Sequence, residues 1–177
     1  MAGRGGMTAQ RLAVLYICSR GLSTDGCFMN AKLIWKENLQ FTAEADGHVV
    51  LMDAKPPLGQ GKAQTPKQLV LAALCGCTAM DVASLIHKQH QDMKRFEVTA
   101  EAPIREGAFP AVFSSVDLAF RIEGVVDPAL AVEAARLSQT RFCSISAMLS
   151  RAVPIRYEVF VNGVSAGSGE AQFAPDL

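Results

Sequence analysis

Thr65-Pro66-Lys67-Gln68-Leu69-Val70-Leu71-Ala72-Ala73-Leu74-Cys75-Gly76-Cys77-Thr78 is the stretch whose reading decides the fold. Thr65 suits a helix N-cap, Pro66 the first helical position, and Gln68 the return arm of a capping box. The pattern predicts a helix from Pro66 to about Gln91. Between Leu69 and Ile86 only Gly76, Thr78, Asp81 and Ser84 interrupt the apolar run, so the helix is expected to be buried on most faces. Its length approaches that of a membrane span, but the mid-helix Asp81 and the lack of a second flanking span favour a core helix.

Upstream of this helix the chain reads as strands. Lys32 to Trp35, Leu39 to Ala45 and His48 to Met52 are separated by Glu37-Asn38 and Asp46-Gly47, and Asp-Gly is the stronger hairpin signal. Residues 54 to 65 form an irregular connection. In it, Gly59-Gln60-Gly61-Lys62-Ala63 resembles a phosphate loop only superficially, because the upstream glycine and the Ser/Thr after the lysine are missing.

Downstream, Arg95 to Glu101 and Val112 to Ile122 read as strands, the second with apolar residues at 116, 118, 120 and 122, which implies one covered and one wet face. Asp127-Pro128 starts a second helix carrying Ala131, Ala134, Ala135 and Leu137, and apolar positions resume at Phe142, Ile145, Met148 and Leu149 before Pro154. Ile155 to Val161 is the last strand. The order βββ-α-ββ-α-β predicts an α+β fold with two long buried helices packed on antiparallel sheets. The Gly, Ser and Ala content from Ser165 onward predicts a loose tail, so the expected division is 1–28 as an extension, 29–164 as the domain and 165–177 as a flexible tail. Arg11 to Cys18 has the look of a short signal core, but no convincing small-residue cleavage site follows, and an upstream extension is the preferred reading.

Composition narrows the function classes. Seventeen Lys plus Arg balance seventeen Asp plus Glu, leaving no cationic excess to follow a phosphate backbone, so nucleic acid is not the expected partner. Only 19% of residues are charged, which leaves more apolar surface than one small domain hides, and a dimer interface would absorb the surplus. Five cysteines in an odd set without dense spacing suggest a reducing cytoplasm.

Among those five, Cys77 lies in the first helix and Cys143 in the second, within Phe142-Cys143-Ser144-Ile145-Ser146. A buried free cysteine is usually an inert small hydrophobe, so neither carries a function alone. Cys75 and Cys77, two apart on a helix, point to nearly opposite sides and are poorly placed to chelate one zinc. His87 and His90 share a helix face, where a solvated pair is the simpler reading. If the second helix breaks near Gln139 and restarts with Thr140 as N-cap, Cys143 falls in a first turn beside Arg141, where a thiolate would be favoured.

The two cysteine segments together resemble those of the OsmC/Ohr family. Residues 65 to 78 look like its Pro-x-x-Leu-x-x-Ala-x-x-x-Cys segment and Phe142 to Ser146 like its second cysteine motif, with the element order agreeing over roughly residues 30 to 162. Gly76 to Val82 points to a less characterised subgroup. The resemblance implies an intertwined cytoplasmic homodimer in antioxidant stress response. In it Cys77 attacks the O–O bond of an organic hydroperoxide, Cys143 resolves the sulfenic acid to a disulfide, and an external dithiol reduces it. No cofactor, metal, nucleic acid or membrane is implied. Peroxidases of the family use an arginine from the early strands and a glutamate just after the helix-start proline. Here Lys67 stands at the glutamate position, and no arginine occurs between Arg20 and Arg95. Lys67, Gln68, Asp81 and Arg141 are the candidate supporting residues. The alternative reading is a catalytically silent dimer that binds a small apolar ligand between its helices.

Overall fold

A computed structural model describes residues 28–107 and 109–175. The expected extension lies almost wholly outside the described residues. The described chain forms two compact units that divide after Ala63.

The first unit is a three-stranded antiparallel meander, β1 (Lys32–Glu37), β2 (Gln40–Ala45) and β3 (His48–Met52). Both predicted reversals are present: Asn38 takes φ 46°, and Asp46 and Gly47 take φ 49° and 78°. Two consecutive positive φ values are what a two-residue I′ hairpin demands, and Asp-Gly supplies them at least cost. The loop after β3 closes on the buried Asp53 carboxylate, which accepts from the N–H groups of Ala54 (2.8 Å), Gln60 (3.2 Å) and Lys62 (3.0 Å). These bonds, led by that of Lys62, hold the Asp53 pKa below its ordinary value. The loop that resembles a phosphate cradle therefore spends its donors on an internal carboxylate.

The second unit contains α1 (Pro66–Lys88), β4 (Asp92–Glu101), β5 (Val116–Val125), α2 (Pro128–Leu137), a π-helical turn (Ser138–Phe142), α3 (Ser144–Leu149), β6 (Ile155–Val161) and β7 (Val164–Glu170). The start of α1 follows the sequence: the Thr65 side chain accepts from the Gln68 N–H, and Gln68 Oε1 accepts from the Thr65 N–H at 2.9 Å. The four strands run in the order β4-β5-β6-β7. Their covered face carries Val98, Phe120 and Val159, with Phe120 stacked on Phe96 and edge-on to Tyr157.

Three expectations are corrected in detail within the α+β class. First, β5 and β6 are parallel, because the chain between them crosses over through two helices instead of a hairpin. Second, the tail is not loose: residues 164–170 form β7, antiparallel to β6. Its small residues are a packing requirement, since a Cβ on Gly167 would meet Val132 at 3.0 Å and one on Gly169 would meet the Tyr157 hydroxyl at 2.5 Å. Third, α1 is not buried on most faces. Only Leu74, Thr78, Val82 and Ile86 are buried, one stripe at i, i+4 spacing, while Val70 and Met80 stand exposed. By length and composition α1 could cross a membrane, yet it lays that stripe into the core with the sheet residues.

Candidate functional site

Thr78 is the polar member of the buried α1 stripe, and the site is built outward from it. Its Oγ1 lies 2.8 Å from Ser138 Oγ and accepts from Gln139 Nε2 at 2.8 Å, while Ser138 Oγ donates to Asp81 Oδ2 at 2.9 Å. With Gln139 donating to Thr78 and Ser138 donating to Asp81, the Thr78 hydroxyl must donate to Ser138. Every proton in the chain then points toward the Asp81 carboxylate, the arrangement that suits its ionised form. Burial nevertheless raises the Asp81 pKa, against the lowering by the Ser138 hydrogen bond.

Ser138 and Gln139 reach α1 because the second helix widens there. Its π turn closes through the Cys143 N–H donating to the Ser138 carbonyl at 3.0 Å, and such turns redirect side chains while keeping backbone groups paired. The expected break near Gln139 with Thr140 as the new cap is not what forms: the chain stays helical through Phe142, and the Thr140 hydroxyl donates back to the Arg136 carbonyl at 2.8 Å. Cys143 itself takes the cap position, with extended backbone (φ −70°, ψ 102°) and Sγ accepting from the Ser146 N–H at 3.3 Å.

One ligand atom each from Cys77, Asp81 and Cys143 lies within 4.8 Å of the others. Cys77 and Asp81 share a face because they are four apart on α1, and the π turn swings Cys143 onto that face. Cys77 is half-buried and Cys143 fully buried. The expected thiolate at Cys143 is overturned: burial of the sulfur first, with the neighbouring Cys77 thiol adding to it, pushes its pKa up to about 12. The lowering influence of Ser146 does not offset desolvation.

The other candidate residues are elsewhere. Lys67 donates to the Ala111 carbonyl and sits about 15 Å along α1 from Cys77 by helical rise. Gln68 is occupied by the capping box. Arg141 is exposed and makes no hydrogen bond or ion pair among the described residues. Cys75 faces away from the cluster, as two-residue helical spacing requires, and burial raises its pKa. His87 and His90 are exposed. Sequence reading missed Thr78, Ser138 and Gln139. Thr78 had a signal, a lone hydroxyl at i+4 between Leu74 and Val82 on the stripe, whereas Ser138 and Gln139 had none, since their role comes from the π turn.

Residues 59–158, more than half of the chain, match the family model of OsmC-like proteins. The Protein YhfA of Escherichia coli is 40% identical over 136 residues, covering 74% of this chain and 98% of that protein. The chain therefore belongs to the OsmC-like family. The crystal structure of an OsmC-like protein from Mycoplasma pneumoniae superposes with a TM-score of 0.67 at 15% identity, covering 76% of this chain and 97% of the other. An organic hydroperoxide resistance protein OsmC from Legionella pneumophila gives 0.53 at 18% identity, over 79% and 98% of the two chains. At those identities the likeness is one of fold.

Proposed function

We propose that this protein reduces organic hydroperoxides through Cys77 and Cys143. The observation that carries the reading is the approach of both thiols and the Asp81 carboxylate within 4.8 Å, Cys77 and Asp81 from α1 and Cys143 from the start of α3. The Cys77 sulfur attacks the distal oxygen of the hydroperoxide, and the O–O bond breaks. Asp81 takes the thiol proton and returns it to the leaving alkoxide, so Cys77 becomes a sulfenic acid and the peroxide an alcohol. Cys143 then attacks the Cys77 sulfur, expelling hydroxide that leaves as water with the Cys143 proton. An external dithiol reduces the disulfide. A proton acceptor at hand is what a buried, high-pKa resolving thiol requires.

The protein acts in this reading as a cytoplasmic homodimer. Exposed Val70 and Met80 on α1, and Trp35, Val49 and Val50 on the first sheet, supply apolar surface for a second copy. Lys67, held on the Ala111 carbonyl, favours the second reading: with no glutamate there and no early-strand arginine, the same fold would bind a small apolar ligand without turnover.

Treating reduced protein with cumene hydroperoxide tests the matter. Mass spectrometry is expected to find a Cys77 to Cys143 disulfide and one alcohol formed per disulfide. Thiols that stay reduced under modest excess of oxidant would leave the silent ligand-binding reading in place.

A further inference from the structure

The Cys77, Asp81 and Cys143 cluster has a second chemical competence. We propose that in the reduced protein it binds one Zn2+ per chain, through the two sulfurs and the carboxylate, with solvent as the fourth ligand. The spacing of the three ligand atoms carries this independently of the peroxidase reading.

A tetrahedral zinc ion at about 2.3 Å from each sulfur and about 2.0 Å from an oxygen sets ligand atoms about 3.5 to 3.8 Å apart. The three atoms here already lie within 4.8 Å of one another, so rotamer adjustments of a few tenths of an ångström to an ångström bring them onto the ion. Two sulfurs select a thiophilic metal, and the hard carboxylate oxygen favours Zn2+ over Cu(I). Cys143 is buried and Cys77 and Asp81 are half-buried, which leaves the fourth position on the open side.

Outer hydrogen bonds are also in place. Ser138 holds Asp81 Oδ2, while Oδ1 has no hydrogen-bond partner among the described residues and is free to ligate. The Ser146 N–H holds Cys143 Sγ. Bonds of this kind orient ligands and relieve their charge. No Lys or Arg among the described residues forms an ion pair with Asp81, so a divalent cation would answer a charge that those residues leave without an ion-pair partner. Binding displaces the two thiol protons to solvent, with no change of oxidation state. A chain oxidised to the disulfide offers neither thiolate, and binding is therefore a property of the reduced form.

The test is titration of phosphine-reduced full-length protein with Zn2+ by calorimetry, and with Co2+ by absorbance. One equivalent of Zn2+ and a near-ultraviolet sulfur-to-cobalt band are expected. Cys77→Ser should abolish both, and Asp81→Asn should weaken Zn2+ binding by roughly tenfold to a hundredfold, since even outer partners are worth that much. Circular dichroism confirms that the variants fold; His87→Ala, away from the cluster, is expected to bind as wild type. No uptake by the reduced protein overturns the proposal, as does full affinity in Cys77→Ser or in Asp81→Asn, or loss of binding in His87→Ala. None of these readouts depends on whether the thiols react with peroxides.

Discussion

Ser138 Oγ donates to Asp81 Oδ2 at 2.9 Å, and this bond ties the π turn to the middle of α1. Ser138→Ala removes a donor to a half-buried carboxylate and leaves the Thr78 hydroxyl without its acceptor. Stability is expected to fall by about 1–3 kcal/mol in urea unfolding. A loss near zero would mean that water replaces the hydroxyl.

Alkylation should discriminate between the thiols. Cys77 is half-exposed, whereas Cys143 is fully buried with its pKa pushed up to about 12. Iodoacetamide at mildly alkaline pH is expected to label Cys77 first, with Cys143 modified only when the protein unfolds. Peptide mapping over time gives the order, and equal rates would contradict the buried position of Cys143.

Asp81→Asn keeps the Ser138 bond in shape but removes the proton acceptor beside both sulfurs. Disulfide formation with cumene hydroperoxide is expected to slow by roughly a hundredfold or more, the usual range for a positioned base. Stopped-flow measurement of Cys77 oxidation checks this, and an unchanged rate would remove Asp81 from the chemistry.

The Asp53 carboxylate gives the first unit an acid-sensitive element. Its pKa is lowered in the folded state, so the stability it contributes is complete above the unfolded value, about 3.9, and is lost as pH falls through the lower folded value. Asp53→Asn is expected to be less stable than wild type near neutrality, with the gap closing below about pH 4. Chemical denaturation at several pH values reads the difference, and a gap independent of pH would show that the charge contributes nothing.

Gly169→Ala tests the docking of β7. The added Cβ would meet the Tyr157 hydroxyl at 2.5 Å and its ring carbon at 2.7 Å, and overpacking of this kind costs about 1–3 kcal/mol. Tyr157→Phe, which removes the nearer atom, should restore part of the loss. A neutral Gly169→Ala in thermal melts would return residues 164–170 to the status of a loose tail.

Most of the architecture was legible because local chemistry and fold agree. Asp46-Gly47 specified its hairpin through positive φ, Thr65 to Gln68 specified the start of α1 through the capping box, and the alternation at 116, 118, 120 and 122 marked the covered face of β5. β7 was hidden because its glycines answer to Val132 and Tyr157, residues distant in sequence. The excess of apolar residues on α1 was legible as well. Their exposure around the single buried stripe was not, since one helix looks the same whether this chain or another covers it.

Helical spacing alone set Asp81 beside Cys77, because i, i+4 neighbours on one helix need no tertiary information to be placed together. The two cysteine segments stood out only through their resemblance to the OsmC/Ohr motifs. Only the tertiary structure brought Cys143 to Cys77 and Asp81. The widening of the second helix at residues 138–142 depends on a backbone bond from Cys143 to Ser138 that no residue type announces. Burial decided the rest: the spacing favoured a capped thiolate at Cys143, and removal of the sulfur from water reversed that preference.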